Sequence, residues 1–167
     1  RKVKMLAHEY LPKGVDVSIY VDADMLIKRP LTELLDSLKG QTLMAACRHS
    51  YCASIREEIN DLINKGMVDA KQVEAQLKQY VEWGFKDDLG ISENGILIRK
   101  HNHARVIELM ELWWNEYQQG CLRDQVSLMP CMHKFGFMPS FQFIEENIRQ
   151  NKYVDVMRHL RIRGSKN

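Results

Sequence analysis

The stretch Val15-Asp16-Val17-Ser18-Ile19-Tyr20-Val21-Asp22-Ala23-Asp24-Met25-Leu26-Ile27 decides how the rest of the chain is read. Val15 to Val21 is apolar and rich in β-branched residues, which predicts a buried strand. It runs straight into Asp22-Ala23-Asp24, so the strand ends in an acidic loop. In open α/β sheets, ligands bind beyond the carboxyl ends of the strands, where loop groups converge on a crevice. Two aspartates one residue apart at such an end can share one hard cation, Mg²⁺ or Mn²⁺. Taken alone the pair is weak, because a chain with this many aspartates shows roughly half such a match by chance. The apolar residues on both sides place it at an edge between core and cleft. An acidic turn capping a helix is the plainer alternative.

Outward from this stretch, helical and strand patterns alternate. After Pro30, the residues Leu31, Leu34, Leu35 and Leu38 recur at helical spacing until Gly40, and Thr42 to Cys47 reads as a strand. Two amphipathic helices are expected between about 50 and 81, joined at Lys65-Gly66, and the segment 50–90 reads as a helical insertion or lid. Glu93 to Arg99 is a second short buried strand, followed by a long helix from about Asn102 to Gln118. On that helix Val106, Leu109, Met110, Trp113, Trp114 and Tyr117 form a stripe better read as core packing than as a sugar-stacking platform. Arg123 to Lys134 reads as a helix, Phe135 to Phe143 as a strand pair around Pro139, and Tyr153 to Met157 as a last strand before a basic tail. Strands alternating with helices predict an α/β fold.

With 167 residues, 45% of them hydrophobic, the chain can bury one core, so residues 1–167 are expected to form a single domain. The 24 basic and 22 acidic residues are interspersed, for a net charge of +2. That balance argues against a nucleic-acid partner. Any phosphate binding is therefore local. The cysteines at 47, 52, 121 and 131 form no CxxC pair and read as reduced thiols. Cys47, His49 and Cys52 resemble a zinc half-site, but no second pair of ligands accompanies them. No apolar run approaches the roughly 18 residues of a membrane span, and no signal peptide precedes the first strand. The chain opens on Arg1 rather than Met, so an excised piece of a longer protein is expected. A cytoplasmic setting, at or near the inner face of a membrane, fits the thiols.

Two further segments carry candidate chemistry. Glu93 and Asn94 stand just before a buried strand, and Gly95 permits close approach of a ligand or another backbone, so their side chains can receive sugar hydroxyls. An ordinary turn into a strand is the alternative. The charged cluster Arg123-Asp124-Gln125 opens a helix. Asp124 either caps that helix or projects into the cleft to orient a donor sugar or accept a proton, and Gln125 adds an amide able to bond hydroxyls.

Taken in order, a strand leading to a DxD, an Asn-Gly strand about seventy residues later and an Asp-Gln at a helix start resemble retaining glycosyltransferases of the glycogenin and galactosyltransferase type. A closer resemblance is to the glycosyltransferase-like family, once classed as a domain of unknown function, that includes plant proteins of seed mucilage and pollen turgor. It lies in Lys4 to Pro30, including His8-Glu9-Tyr10-Leu11-Pro12, in Glu93 to Asn102 and in Arg123 to Leu128, about a third of the chain.

The resemblance implies a GT-A-like mixed sheet flanked by helices and lacking its N-terminal nucleotide-binding strands. It implies metal ligation by Asp22 and Asp24, with a late histidine, His159 or alternatively His133, as third ligand. It implies sugar contacts from Asn94 and Gly95 and a donor-sugar or catalytic role for Asp124 and Gln125, with Glu93 and Arg123 beside them. Arg1 and Lys4, in the helix leading into the DxD strand, would face a diphosphate or lie as solvated surface, and solvation is the commoner state of such residues. The function expected is transfer of a hexose from a nucleotide-sugar donor such as a UDP-sugar to a glycan or small acceptor, with Mn²⁺ or Mg²⁺ as cofactor. The alternatives are a non-catalytic glycan- or protein-binding domain of the same fold and a metal-dependent phosphohydrolase.

Overall fold

A computed structural model describes residues 1–144, 148 and 151–157. Its main sheet has four strands in the order β1-β4-β3-β5: β1 (Ser18–Val21), β3 (Met44–Arg48), β4 (Ser92–Arg99) and β5 (Phe141–Ile144). β4 pairs antiparallel with both β1 and β3, while β3 and β5 run parallel, so the sheet is mixed as expected. A separate two-stranded sheet joins β2 (Met25–Ile27) to β6 (Val154–Val156).

β4 is buried at every position, and its central Ile96, Leu97 and Ile98 pack on both faces, which suits three apolar residues in a row. Side chains alternate between faces along a strand. Leu97, Met44 and Ala46 therefore enter one core, while Ile96, Ile98, Ala45 and Cys47 enter another. The first core is closed by α1 (Lys2–Met5), α2 (Ile55–Asn64), α3 (Ala70–Glu82), α4 (Ala104–Gln119) and α5 (Asp124–Lys134). Ile55, Ile59, Val73 and Tyr80 belong to it with Trp113 and Leu128, so α2 and α3 are packed into the body of the fold. Trp113 is wholly buried, in line with a core role for its stripe.

Helix starts follow local chemistry. The Ser54 hydroxyl accepts the Glu57 N–H at 3.2 Å, and the Asp87 carboxylate takes the N–H groups of Ile55 and Arg56 at 2.8 and 2.9 Å. Asp69 caps α3 in the same way, through Lys71 and Gln72.

Residues 31–38 form a helix, of the 3₁₀ type. Two expectations are corrected. The first strand begins at Ser18, not Val15, because the Asn102 amide donates to the carbonyls of Lys13 and Val15 at 3.1 and 3.0 Å and holds that segment as a loop. Phe135 to Phe143 is not a strand pair. Gly136 turns the chain at φ 64°, a 3₁₀ turn spans Met138–Ser140, and a single strand follows. Pro139, lacking an N–H, suits the turn and would leave a gap in a ladder.

Candidate active site

The DxD loop is set by its neighbour strand. β1 ends opposite β4 with Val21 facing Ile96, and the Asp22 N–H then donates to the Gly95 carbonyl at 2.8 Å. A Cβ placed on Gly95 would lie 2.4 Å from Met25 Cε, 2.7 Å from Ile148 Cδ1 and 3.3 Å from Asp22 Oδ2. Gly95 is thus the residue that lets the acidic loop seat against β4.

β4 carries a register shift on its other edge. Ala46 pairs with Leu97 whereas the next residue, Cys47, pairs with Glu93, so residues 94–96 have no β3 partner. An irregularity of this kind re-aims side chains at a strand end. Here Glu93, Asn94 and Gly95 line the same cavity as Asp22 and Asp24. The shift had no signal in the sequence beyond Gly95 itself.

The third wall comes from α5. Trp113 Nε1 donates to the Asp124 carbonyl at 3.2 Å and to Ser127 Oγ at 3.1 Å, fixing the first turn of that helix against α4. No side chain caps the start of α5. The Asp124 carboxylate instead faces the cavity, with Oδ2 2.5 Å from Lys4 Nζ and 3.3 Å from an Arg1 guanidinium nitrogen. The Asp124 side chain thus lines the cavity and does not cap the helix.

Lys4 corrects the expectation of a solvated surface residue: its side chain is 2% exposed. Its ammonium also lies 3.5 Å from Asp22 Oδ1, which accepts the Tyr20 hydroxyl at 2.8 Å, and stands 5.2 Å from the Tyr20 ring centre. Burial and the bond to Asp22 push the Tyr20 pKa upward, so its proton stays on that bond. Arg1 is half-buried. Burial works against its charge, but Asp124 and Asp22 outweigh that and raise its pKa.

The cavity so formed has a volume of about 140 Å³ and collects four carboxylates, Asp22, Asp24, Glu93 and Asp124, with Lys4 and Arg1 between two of them. Asn94 is 1% exposed, yet neither atom of its side-chain amide has a hydrogen-bond partner among the described residues. A buried amide left in this state costs stability unless something is bound to it. Glu93 Oε2 accepts from Ser50 Oγ at 2.8 Å. Gln125 also lines the cavity, while Arg123 opens onto a neighbouring groove.

The donor set at Asp22 and Asp24 is all oxygen, which suits Mg²⁺ or Mn²⁺, ions that retain several waters or bind through substrate phosphates. Among the described residues no third protein ligand joins them. His133 sits away from the cavity, its ring 5.7 Å from that of Phe85. His159 lies outside the described residues.

The cysteine cluster resolves differently from a zinc half-site. Cys47 is buried in β3, and His49, Cys52 and Glu58 come together instead. His49 Nδ1 accepts the Cys52 N–H at 2.9 Å, so a neutral ring carries its proton on Nε2, which points at Glu58 3.6 Å away. Metal-bound histidines show the reverse, with the second nitrogen donating. Burial first, and then the bond to Glu58, push the Cys52 thiol up to about 11. The three groups form a hydrogen-bonded trio, and none of the four cysteines is in a disulfide.

A family profile described as TOD1/MUCI70, glycosyltransferase-like domain, matches residues 2–159. Among solved structures, a galactosyltransferase, LgtC, in complex with donor and acceptor sugar analogs is 16% identical with a TM-score of 0.47, over 84% of this chain and 42% of that one. Mouse xyloside xylosyltransferase 1, in its apo form, is 14% identical with a TM-score of 0.44, over 86% of this chain and 49% of that one. The chain spans less than half the length of either. No curated protein matches it.

Proposed function

This chain belongs to the TOD1/MUCI70 family of glycosyltransferase-like domains, and on that premise we propose that it transfers a hexose from a nucleotide diphosphate donor to a glycan or small acceptor, with a divalent cation held by Asp22 and Asp24. The observation that carries the reading is the convergence of four carboxylates and the unpartnered, buried Asn94 amide on one small cavity, drawn from three segments far apart in sequence. Purely structural packing gives no reason to gather that many carboxylates around an unsatisfied amide.

When bound, Mn²⁺ or Mg²⁺ offsets the charge that develops on the departing diphosphate. The remaining work belongs to the side chains. Asn94 bonds hydroxyls of the donor sugar and so satisfies its own amide. Asp124, held by Lys4, and Glu93, held by Ser50, orient the sugar, and Gln125 bonds a further hydroxyl. Lys4 and Arg1 place positive charge next to Asp22, where the phosphates of the donor approach the DxD loop.

The test is turnover of a panel of UDP- and GDP-sugars by the natural full-length protein with Mn²⁺, Mg²⁺ or EDTA, beside Asp24→Asn. The expected result is metal-dependent release of one nucleotide, reduced at least about a hundredfold in the variant. A folded protein that binds no Mn²⁺ and releases no nucleotide, with or without acceptors, would sink the reading. Release that ignores sugar identity would identify a phosphohydrolase.

A further inference from the structure

Gln125 is a shared wall of the donor cavity and its neighbour. That side chain also lines a larger groove of about 560 Å³ bounded by Tyr51, Glu58, Asp61, Lys65 and Arg123. A second depression of about 670 Å³ continues from it along the same loop, sharing His49, Tyr51 and Cys52 and running towards Gly90. We propose that this groove, leading from Gln125 past Tyr51, holds the non-reacting units of an uncharged saccharide-chain acceptor, with the Tyr51 ring as a platform for one pyranose face. The inference rests on the glycosyltransferase reading of the adjoining cavity.

Three observations carry it. The first is adjacency and size. About 140 Å³ leaves room for little beyond one sugar and its ligands, whereas the groove has the volume typical of a ligand site and shares Gln125 as a wall with the smaller cavity. The second is charge. Glu58 and Asp61 oppose Lys65 and Arg123, and Lys65 is paired with Asp61, so the wall carries no net formal charge while offering many donors and acceptors. Such a wall suits hydroxyls and has no excess of either sign to hold a polyion.

The third is Tyr51. At 76% exposure it is the most exposed large hydrophobic side chain among the described residues. Its loop is nonetheless pinned: the N–H groups of Tyr51 and Cys52 donate to His49 Nδ1 at 3.3 and 2.9 Å, and the Ala53 N–H donates to Glu57 at 2.7 Å. An aromatic ring held outward on a tied loop loses little freedom on binding, and an amphipathic phenol can cover the C–H face of a sugar. The residue before it, Ser50, donates to Glu93. A saccharide lying on Tyr51 is thereby aligned with a carboxylate of the reacting cavity by one short loop.

The test uses the natural full-length protein and neutral gluco-, xylo- and galacto-oligosaccharides of one to six units. Binding is read directly by saturation-transfer NMR, and transfer by KM at fixed donor. Affinity is expected to rise with chain length. Tyr51→Ala should weaken binding of the longer chains about tenfold, with Tyr51→Phe restoring it and acceptor-free donor release unchanged in both. Absence of length dependence, or equal binding by Tyr51→Ala, overturns the groove while donor release stands. Preferential binding of uronic-acid chains that weakens with added salt overturns the uncharged assignment. Loss of donor release in the unaltered protein would count against the cavity's reading, and the NMR measurement would still decide the groove.

Discussion

The Lys4 ammonium lies 2.5 Å from the Asp124 carboxylate, joining the first helix of the chain to the first turn of α5 with both side chains at least nine-tenths buried. Taking two ions out of water is unfavourable, and their attraction repays this only when geometry is close and other partners are present. Asp22, Tyr20 and Arg1 supply those partners. The contact therefore matters less as a source of stability than as a device that sets the spacing of two cavity carboxylates.

Removing one partner exposes that dependence. Lys4→Met should destabilise the fold by about 3 kcal/mol, because Asp124 is left buried with only the half-exposed Arg1 beside it. Adding Asp124→Asn to that variant should recover part of the loss. Urea unfolding of the two variants checks this, and equal stability of both would contradict it.

Gly95→Ala tests the seating of the acidic loop. The new methyl meets the ends of Met25 and Ile148 and crowds Asp22, which should cost about 1–3 kcal/mol through overpacking. Mn²⁺ affinity should fall with it as Asp22 is displaced. Unchanged melting temperature and Mn²⁺ binding would show that the side chains yield without moving the loop.

His101 makes stability depend on pH. It is 1% exposed with neither ring nitrogen bonded among the described residues, and burial, followed by the charge of Arg99, lowers its pKa from 6.5. The unfolded chain therefore takes the proton more readily than the folded one. Stability from this group is fully present above pH 6.5 and is lost as pH falls through the folded value. Urea midpoints of His101→Phe should decline less between neutral and mildly acid pH than those of the unaltered protein.

Leu122, just before the Arg123-Asp124 pair, has φ 55° and is 57% exposed. A leucine in the left-handed region is strained by roughly 1–2 kcal/mol, and asparagine tolerates the region better. Leu122→Asn should therefore stabilise the protein by about 1 kcal/mol, since little packing is lost. A lower melting temperature would mean that Leu122 is held by contacts and not by strain.

The legibility of the fold followed its periodicity. α4 carries a long apolar stripe and β4 a short apolar run, and both lie within two residues of their expected limits. The segment around Pro139 misled because aromatic residues at strand-like spacing also suit a turn followed by one strand, and periodicity over so few residues cannot separate the two. Lys4 misled for a different reason: a lysine on a short helix is usually solvated, and no local signal announces a buried carboxylate partner.

The sequence by itself determined the strand leading to Asp22 and Asp24, the order of the three acidic segments and the class of the fold, because these depend on residue type and short-range pattern. Only the tertiary structure decided that the segments meet. The register shift at Ala46–Cys47 aims Glu93 and Asn94, the bare Cα of Gly95 seats the DxD loop, and Lys4 draws Asp124 towards Asp22. Each is a contact between residues distant along the chain, made only when burial of both cores has brought their strands and helices together.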